Sequence, residues 1–193
     1  MIETVTVYCA SSRQADPRFH DAARRVGAHL ATNGVAVIYG GGAVGSMGAL
    51  ASGALAAGGR VVGVLPRFMA DLEWGHASVT EMRLVEDMHA RKHAMLTSGD
   101  AVVALPGGCG TFEELLEAIT WKRLGLYAGP IAILNQDGFY TPLLDLLDRC
   151  IRERFMDERH AAMWVAVSEP EEVLPALRAT PPWDADARRF AVP

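Results

Sequence analysis

The sequence predicts an α/β protein with a doubly wound, mostly parallel sheet and helices on both faces. Short apolar runs, such as residues 101–105, alternate along the chain with longer stretches of helical periodicity, and this alternation is typical of βαβ units. Two of the apolar runs lead directly into glycine-rich turns, at 40–48 and 106–111. The chain has 193 residues, of which half are hydrophobic, so it can bury one core of this kind.

In the first half of the chain, turn and capping residues mark where the elements begin and end. An Asp-Pro pair at 16–17 predicts the start of a helix, and an Asn-Gly pair at 33–34 predicts its end. The turn at 40–48 opens a second helix, which a Gly-Gly pair at 58–59 ends. Pro66 ends the third strand. The strands predicted in this half are 4–9, 35–39, 60–65 and 82–85.

The second half continues the same alternation, with a turn at 135–138. The strands predicted here are 101–105, 130–134 and 163–167, and the helices are 87–98, 111–124, 140–152 and 170–177. Residues 66–80 carry no clear period and are expected to be irregular, as a lid or wall of a site. We expect one nucleotide-binding domain over residues 1–179, followed by an extended, loosely attached tail over 180–193.

Composition narrows the range of partners. The net charge is −5 and no basic run is present, so we expect no nucleic acid partner. No apolar stretch reaches the roughly 18 residues of a membrane span, and we see no signal peptide. Cys9, Cys109 and Cys150 are odd in number and widely spaced, which indicates free thiols in a reducing cytoplasm. Cys109 has no suitable histidine near it in sequence to act as a base, and the sequence predicts no metal and no cofactor.

The turn at 106–111 has the composition of a phosphate site. Glycines between a strand and a helix leave backbone N–H groups free at the positive end of the helix dipole. We expect Thr111 to cap the helix, and Glu113 and Glu114 to lie in its first turn, where the dipole favours the ionised carboxylate. We also expect this turn to be exposed. The alternative is a simple strand-to-helix turn with a capping threonine.

The upstream turn matches the dinucleotide pattern G-x-G-x-x-G at residues 40–45. That pattern requires an acidic residue about 20 positions further on, to hold the ribose. Residues 65–67 stand there and read Leu-Pro-Arg. Arg67 suits a 2′-phosphate, but the second phosphate turn is not part of a dinucleotide fold. Neither turn continues into the G-K-[ST] of a P-loop. The sequence therefore supports a nicotinamide-dependent enzyme less well than another kind of phosphate-binding protein.

A second charged group precedes the phosphate turn, in the sequence Met-His-Ala-Arg-Lys at 88–92. These residues begin a helix that follows a strand, so their side chains can reach the same edge of the sheet. Arg91 is the strongest candidate among them, because a guanidinium is rigid and permanently charged. His89 and Lys92 are equally well explained as solvated surface groups.

These segments together resemble the LONELY GUY family. The resemblance rests on residues 88–92, on the family pattern P-G-G-x-G-T-x-x-E at 106–114, on 115–121 and on 134–140, and it extends over about residues 4–175. Two positions depart from the pattern in a minor way, with Cys109 at the variable position and Gln136 where valine is usual. The family consists of cytokinin riboside 5′-monophosphate phosphoribohydrolases, often mislabelled as lysine decarboxylases. A pyridoxal phosphate enzyme needs a Schiff-base lysine with an acidic partner for the pyridinium, and Lys92 beside Arg91 offers no such arrangement.

The resemblance implies a Rossmann-like fold and hydrolysis of the N-glycosidic bond of a nucleoside 5′-monophosphate, with Arg91 and Glu114 as the catalytic residues. Glu114 would stabilise positive charge on the ribose, and Arg91 would orient Glu114 and the nucleotide. The family also implies a homodimer. The residues expected to contact this small-molecule substrate are Gly41, Gly42, Glu73, Met88, Lys92, Gly108, Cys109, Gly110, Thr111, Phe112, Glu113 and Thr120.

Two other functions remain open at this stage. A general AMP nucleosidase is the nearer alternative, and the sequence does not separate it from a cytokinin-activating enzyme, because the pocket around the N6 position of the base is apolar in either case. A nucleotide-binding carrier without catalysis could share the fold, as molybdenum-cofactor carriers do, but it would not need both Arg91 and Glu114.

Overall fold

A computed structural model of the chain describes residues 1–72, 74–184 and 186–191. Within these residues seven parallel strands form one sheet in the order β4-β3-β2-β1-β5-β6-β7. The strands are β1 (Thr4–Tyr8), β2 (Ala36–Tyr39), β3 (Val61–Pro66), β4 (Glu81–Val85), β5 (Ala101–Ala104), β6 (Ile131–Leu134) and β7 (Val165–Val167). The predicted doubly wound α/β fold is confirmed.

In the part of the chain that the structure describes, seven α-helices connect and cover the strands. They are α1 (Pro17–Thr32), α2 (Gly45–Ala56), α3 (Arg67–Asp71), α4 (Met88–Ser98), α5 (Cys109–Arg123), α6 (Thr141–Arg152) and α7 (Val173–Ala179). Short 3₁₀ turns lie at Gln136–Gly138, Glu158–Met163, Pro170–Glu172 and Ala187–Phe190. Among the described helices, none is long and apolar enough to cross a membrane.

Successive strand residues point to opposite faces of the sheet, so the sheet has two cores. On β5, Ala101 and Val103 face the core formed with α1, α2 and α7, whereas Val102 and Ala104 face the core formed with α4, α5 and α6. All four side chains are fully buried, as expected for a central parallel strand.

Local sequence signals account for the ends of several helices. Asp16 caps α1 by accepting a hydrogen bond from the Arg18 N–H (3.0 Å), and Asn33 ends the helix. Asp87 caps α4 in the same way, accepting from the N–H of Ala90 (2.8 Å). Each cap satisfies a backbone donor that the first turn leaves free.

The sheet order places the site. β1 lies between β2 and β5, and the chain turns toward one face of the sheet after β1 and toward the other after β5. Such a reversal opens a crevice at the carboxyl ends of the two strands, where ligands bind in doubly wound folds.

Two predictions about irregular segments are wrong. Residues 67–71, expected to lack regular structure, form the short helix α3. The tail, expected to be extended and loosely attached, contains the 3₁₀ turn Ala187–Phe190, and the side chain of Phe190 is buried. Trp183 fixes the tail to the domain because its indole N–H donates to the carbonyl of Lys122 (2.9 Å). The apolar residues of the tail therefore complete a surface that the domain would otherwise expose.

Candidate active site

A cleft of about 660 Å³ opens at the carboxyl edge of the sheet. The loops after β1, β2 and β5, together with Met69 of α3 and the loop that follows this helix, form most of its walls. The residues that line it are Cys9, Ala10, Ser11, Ser12, Arg13, Gly40, Gly42, Ala43, Val44, Met47, Leu65, Met69, Trp74, Arg91, Gly108, Gly110, Thr111 and Glu114.

Arg91 and Glu114 form a buried ion pair in the wall of this cleft. Nη1 of Arg91 donates to a carboxylate oxygen of Glu114 at 2.7 Å, and each side chain is only 6% exposed. Nε of Arg91 donates to the carbonyl of Val64 at 3.2 Å. With one hydrogen bond to a strand and one to the carboxylate, the guanidinium is fixed in direction. The two residues that the sequence singled out as catalytic are therefore in direct contact.

The helix that carries Glu114 begins earlier than expected. Gly108 is the N-cap of α5 and Cys109 its first residue, so Thr111 lies inside the helix and does not cap it. Glu113 and Glu114 consequently lie beyond the first turn, where the effect of the helix dipole has weakened. Gly108, Cys109 and Gly110 are exposed, as expected for this turn, whereas Thr111 and Glu114 are buried.

This position changes the electrostatics of Glu114. Burial raises the pKa of its carboxyl group above the usual value, and the guanidinium of Arg91 opposes that rise. The helix dipole was expected to favour the ionised form, but here Arg91 holds the charge. The carboxylate is therefore sensitive to any change that moves the guanidinium away.

The start of α5 faces the cleft with free backbone donors. No side chain caps this helix, and Gly108, Gly110 and Thr111 line the cavity. Backbone N–H groups at the start of a long helix are suited to bind an anion. The arrangement combines an anion-binding turn with a desolvated carboxylate, so it can hold a phosphate and stabilise positive charge nearby.

The structure separates the predicted substrate residues into two groups. Gly42, Gly108, Gly110 and Thr111 line the cleft together with Arg91 and Glu114. Those that do not line it are Gly41, Met88, Lys92, Cys109, Phe112, Glu113 and Thr120. Glu73 lies outside the described residues. A role for any of these side chains in binding substrate stays a prediction.

The residues outside the cleft wall have other contacts in this structure. Nζ of Lys92 pairs with Glu113 at 2.7 Å and with Glu117 at 3.5 Å, and the bond to Glu113 raises the pKa of the lysine. Phe112 packs against the ring of Tyr140, with 5.9 Å between centroids. Thr120 is exposed two turns beyond Glu114. The Lys92 pair thus holds α4 against α5 beside the site.

Several residues of the cleft were not proposed as site residues from the sequence, among them Arg13, Met69 and Trp74. The segment that carries Met69 and Trp74 was expected to be a wall, and backbone hydrogen bonds fix it there. The N–H of Ala43 donates to the carbonyl of Trp74 (3.1 Å), and the N–H of His76 donates to that of Gly41 (2.9 Å). Arg13 could have been found from its place just after the first strand, at the predicted ligand edge.

The fold and the cleft define a Rossmann-like ligand-binding protein with a buried acid–arginine pair. Comparisons with known proteins refine this class. A family model described as possible lysine decarboxylase matches residues 47–177. A cytokinin riboside 5′-monophosphate phosphoribohydrolase of rice, Oryza sativa subsp. japonica, is 40% identical over 190 residues, covering 93% of this chain and 77% of the relative. A relative of the same description from Arabidopsis thaliana is 40% identical over 174 residues, covering 90% of this chain and 80% of the relative. The chain belongs to this family, the LONELY GUY family.

Solved structures show the same fold. The molybdenum cofactor carrier protein of Chlamydomonas reinhardtii superposes with a TM-score of 0.70 at 21% identity, covering 93% of this chain and 98% of that chain. The molybdenum cofactor binding protein of Rippkaea orientalis superposes with a TM-score of 0.71 at 23% identity, covering 93% of this chain and 97% of that chain. At this identity the likeness concerns the fold alone.

The lysines of the chain do not fit the decarboxylase description of the family model. There are two of them. Lys92 is held by Glu113, and Lys122 donates to the carbonyl of Gly129 and lies against Trp183. Neither lines the cleft, so neither is placed to form a Schiff base with a ligand there.

Proposed function

We propose that this chain hydrolyses the N-glycosidic bond of N6-substituted adenosine 5′-monophosphates, releasing the free cytokinin base and ribose 5-phosphate. Relatives about 40% identical carry the name of this activity. The observation that carries the proposal is the buried Arg91–Glu114 pair beside the free N-terminus of α5. The anion-binding turn suits the 5′-phosphate, and the pair suits the reaction at the sugar.

The chemistry follows from how an N-glycosidic bond breaks. As the base leaves, positive charge develops on C1′ and the ring oxygen of the ribose. An ionised carboxylate in a dry cleft stabilises this charge more strongly than water does. In this proposal Glu114 supplies that carboxylate, and Arg91 keeps it ionised and directed at the sugar. Water then adds to C1′, and the base takes up a proton as it departs.

The 5′-phosphate is proposed to bind the backbone of Gly108, Gly110 and Thr111, with support from the turn that contains Gly42. The base would then lie toward the apolar part of the cleft, where Met69 and Trp74 are found. This placement allows a substituent on N6 without requiring a polar partner for it.

The direct test is to incubate the enzyme with AMP and with isopentenyladenosine monophosphate, and to separate the released bases by chromatography. Preferential release of isopentenyladenine would support the cytokinin nucleotide as substrate. Equal release from AMP would indicate the general AMP nucleosidase instead. Binding of either nucleotide without release of a base would indicate a carrier. Adenosine in a parallel reaction tests the phosphate site, and we expect its kcat/KM to be far below that of the monophosphate.

We also propose a cytoplasmic homodimer. The three cysteines are unpaired thiols in this structure, consistent with a reducing compartment. Apolar side chains remain exposed on α5, in the loop that follows it and on α6: Leu116 is 38%, Leu126 is 54% and Leu146 is 56% exposed. Leu115 and Leu147 of the same region face the core. Because these leucines occupy two sides of the helices, a second copy of the chain is the simplest cover for the outer side.

A further inference from the structure

Arg13 enters the cleft from the loop that follows β1. The loop is held in place by hydrogen bonds at Ser12, whose hydroxyl accepts from the N–H of Gln14 (3.2 Å) and whose carbonyl lies 3.1 Å from Nε2 of His20. Arg13 itself is exposed. Its guanidinium therefore projects from an anchored loop and keeps its freedom to meet a ligand.

The positive charge of Arg13 is not neutralised by a carboxylate in the described part of the protein. Three charged residues line the described cleft, namely Arg13, Arg91 and Glu114. Arg91 and Glu114 neutralise one another at 2.7 Å. Among the described residues, Arg13 forms no ion pair with a carboxylate. The described lining of the cleft thus carries one positive charge in excess, which attracts an anionic ligand.

The other side of the crevice offers backbone donors to the same anion. β1 and β5 are neighbours in register, with Tyr8 opposite Ala104, so the loops that follow them border one crevice. The loop after β1 carries Arg13, and the turn after β5 carries Gly108 and Gly110 at the start of α5. A phosphate between these loops can accept from the backbone N–H groups on one side and from a guanidinium on the other.

We propose that Arg13 selects a phosphorylated nucleotide over the free nucleoside by pairing with the 5′-phosphate. The guanidinium would bind the phosphate from one side of the crevice, and the backbone N–H groups at the start of α5 would bind it from the other. This inference rests on the proposed function. Arg13 is a specificity-determining residue here, because the phosphate is remote from the bond that breaks. Its contribution is the same in the bound substrate and in the transition state, so it lowers KM and leaves kcat unchanged.

Three variants test this role. Arg13→Gln removes the charge, Arg13→Lys keeps the charge without the planar guanidinium, and Arg24→Gln removes an exposed arginine of α1 that does not line the cleft. Kinetics with AMP, isopentenyladenosine monophosphate and the matching nucleosides give KM and kcat for each. We expect Arg13→Gln to raise KM for both monophosphates by about ten-fold with kcat unchanged. The KM of Arg13→Lys should lie between those of the wild type and Arg13→Gln, and the KM of Arg24→Gln should equal that of the wild type.

Nucleoside kinetics separate a specific role from a structural one. Cleavage of the nucleosides should be unaffected by Arg13→Gln, and ribose 5-phosphate should inhibit the variant about ten-fold less well than the wild type. An equal loss on nucleosides and nucleotides would overturn the inference, because a damaged loop would act on both. An unchanged KM for the monophosphates would overturn it as well.

A binding measurement distinguishes failure of this inference from failure of the proposed function. Calorimetry of AMP and of ribose 5-phosphate with the Glu114→Gln variant reports binding without turnover. If both ligands bind but the added Arg13→Gln change leaves their affinities unaltered, the role of Arg13 is refuted while the proposed function stands. If the wild type neither binds the monophosphates nor releases a base, the proposed function fails and the role of Arg13 fails with it.

Discussion

Gly40, the residue after β2, leaves no room for a side chain beside Arg91. A Cβ atom on Gly40 would lie 1.8 Å from Nη2 and 3.0 Å from Cζ of the guanidinium. The backbone of one loop therefore sets the position of the arginine that holds Glu114. A glycine is needed at position 40 because the guanidinium of Arg91 lies too close to the backbone for any side chain.

Gly40→Ala should move Arg91 away from Glu114 and lower kcat by at least about ten-fold. Thermal unfolding would establish that the variant is folded. The double variant Gly40→Ala, Arg91→Ala provides the control, because it should lose no more activity than Arg91→Ala alone if both changes act through the guanidinium. Additive losses would contradict this coupling.

Glu114→Gln should reduce release of the base by roughly a thousand-fold, since an amide cannot match the positive charge of the transition state. Steady-state kinetics measure the loss. The substitution also leaves the buried guanidinium without its counter-charge, so we expect a cost of about 1–3 kcal/mol in stability. Glu117→Gln, one turn further along α5, is the control and should remain active. Turnover near the wild-type rate in the folded Glu114→Gln enzyme would disprove the assignment.

The acid side of the pH–rate profile should report the ionisation of Glu114. Because burial raises the pKa of this carboxyl group, activity should begin to fall at a higher pH than for an ordinary glutamate. Removing the opposing charge by Arg91→Gln raises the pKa further, so the residual activity of that variant should fall at a still higher pH. A profile of kcat/KM for each enzyme tests this shift, and identical acid limbs would rule it out.

Lys122 should make the stability depend on pH. Burial lowers its pKa from 10.5 to about 8, so between these values the unfolded chain binds more protons than the folded chain. The free energy of unfolding should therefore rise with pH across this window. Lys122→Met should flatten the rise by an amount on the order of 1 kcal/mol. Urea unfolding at several pH values between 8 and 10.5 measures the rise. The control variant Lys92→Met, at an ion-paired lysine, should retain it.

Light scattering should give twice the 20.8 kDa of the chain if α5 and α6 form the dimer interface. Leu146→Asp places a charge on the exposed side of α6 and should yield monomers with reduced activity on dilution. Leu84→Asp, at a leucine of β4 that is 45% exposed, is the matched control and should remain dimeric. A fully active wild-type monomer would contradict the proposed assembly.

Local signals predicted most of the fold. Asp16, Asn33 and the turn at 106–111 mark boundaries that depend only on neighbouring residues, and the structure places elements there. Arg91 and Glu114 were singled out because they lie in two short motifs that resemble those of the family. The family resemblance implied that Arg91 orients Glu114, but the geometry of their contact and the burial of Glu114 could not be predicted, because they depend on how α4 and α5, separated in sequence, pack over the sheet.

The remaining differences have a similar origin. Trp74 reaches the cleft on a segment without periodicity, which backbone hydrogen bonds to the 40–44 loop hold in place. Phe190 is buried by a tail whose apolar residues are too few and too widely spaced to predict an element. In both cases the position is set by a surface formed elsewhere in the chain. That Trp74 or Arg13 acts on a ligand stays a prediction.

The sheet order has a consequence for synthesis of the protein. β1 pairs on one side with β2 and on the other with β5. In the β5 pairing, Val5 lies opposite Ala101. On the ribosome, at about 5–20 residues per second, one edge of β1 waits roughly 5–20 seconds for its second neighbour. Val5 and Val7 are fully buried once the sheet is complete, but in the nascent chain they border an open strand edge, which is prone to pair with other chains. The need for chaperone protection should therefore end when β5 leaves the exit tunnel.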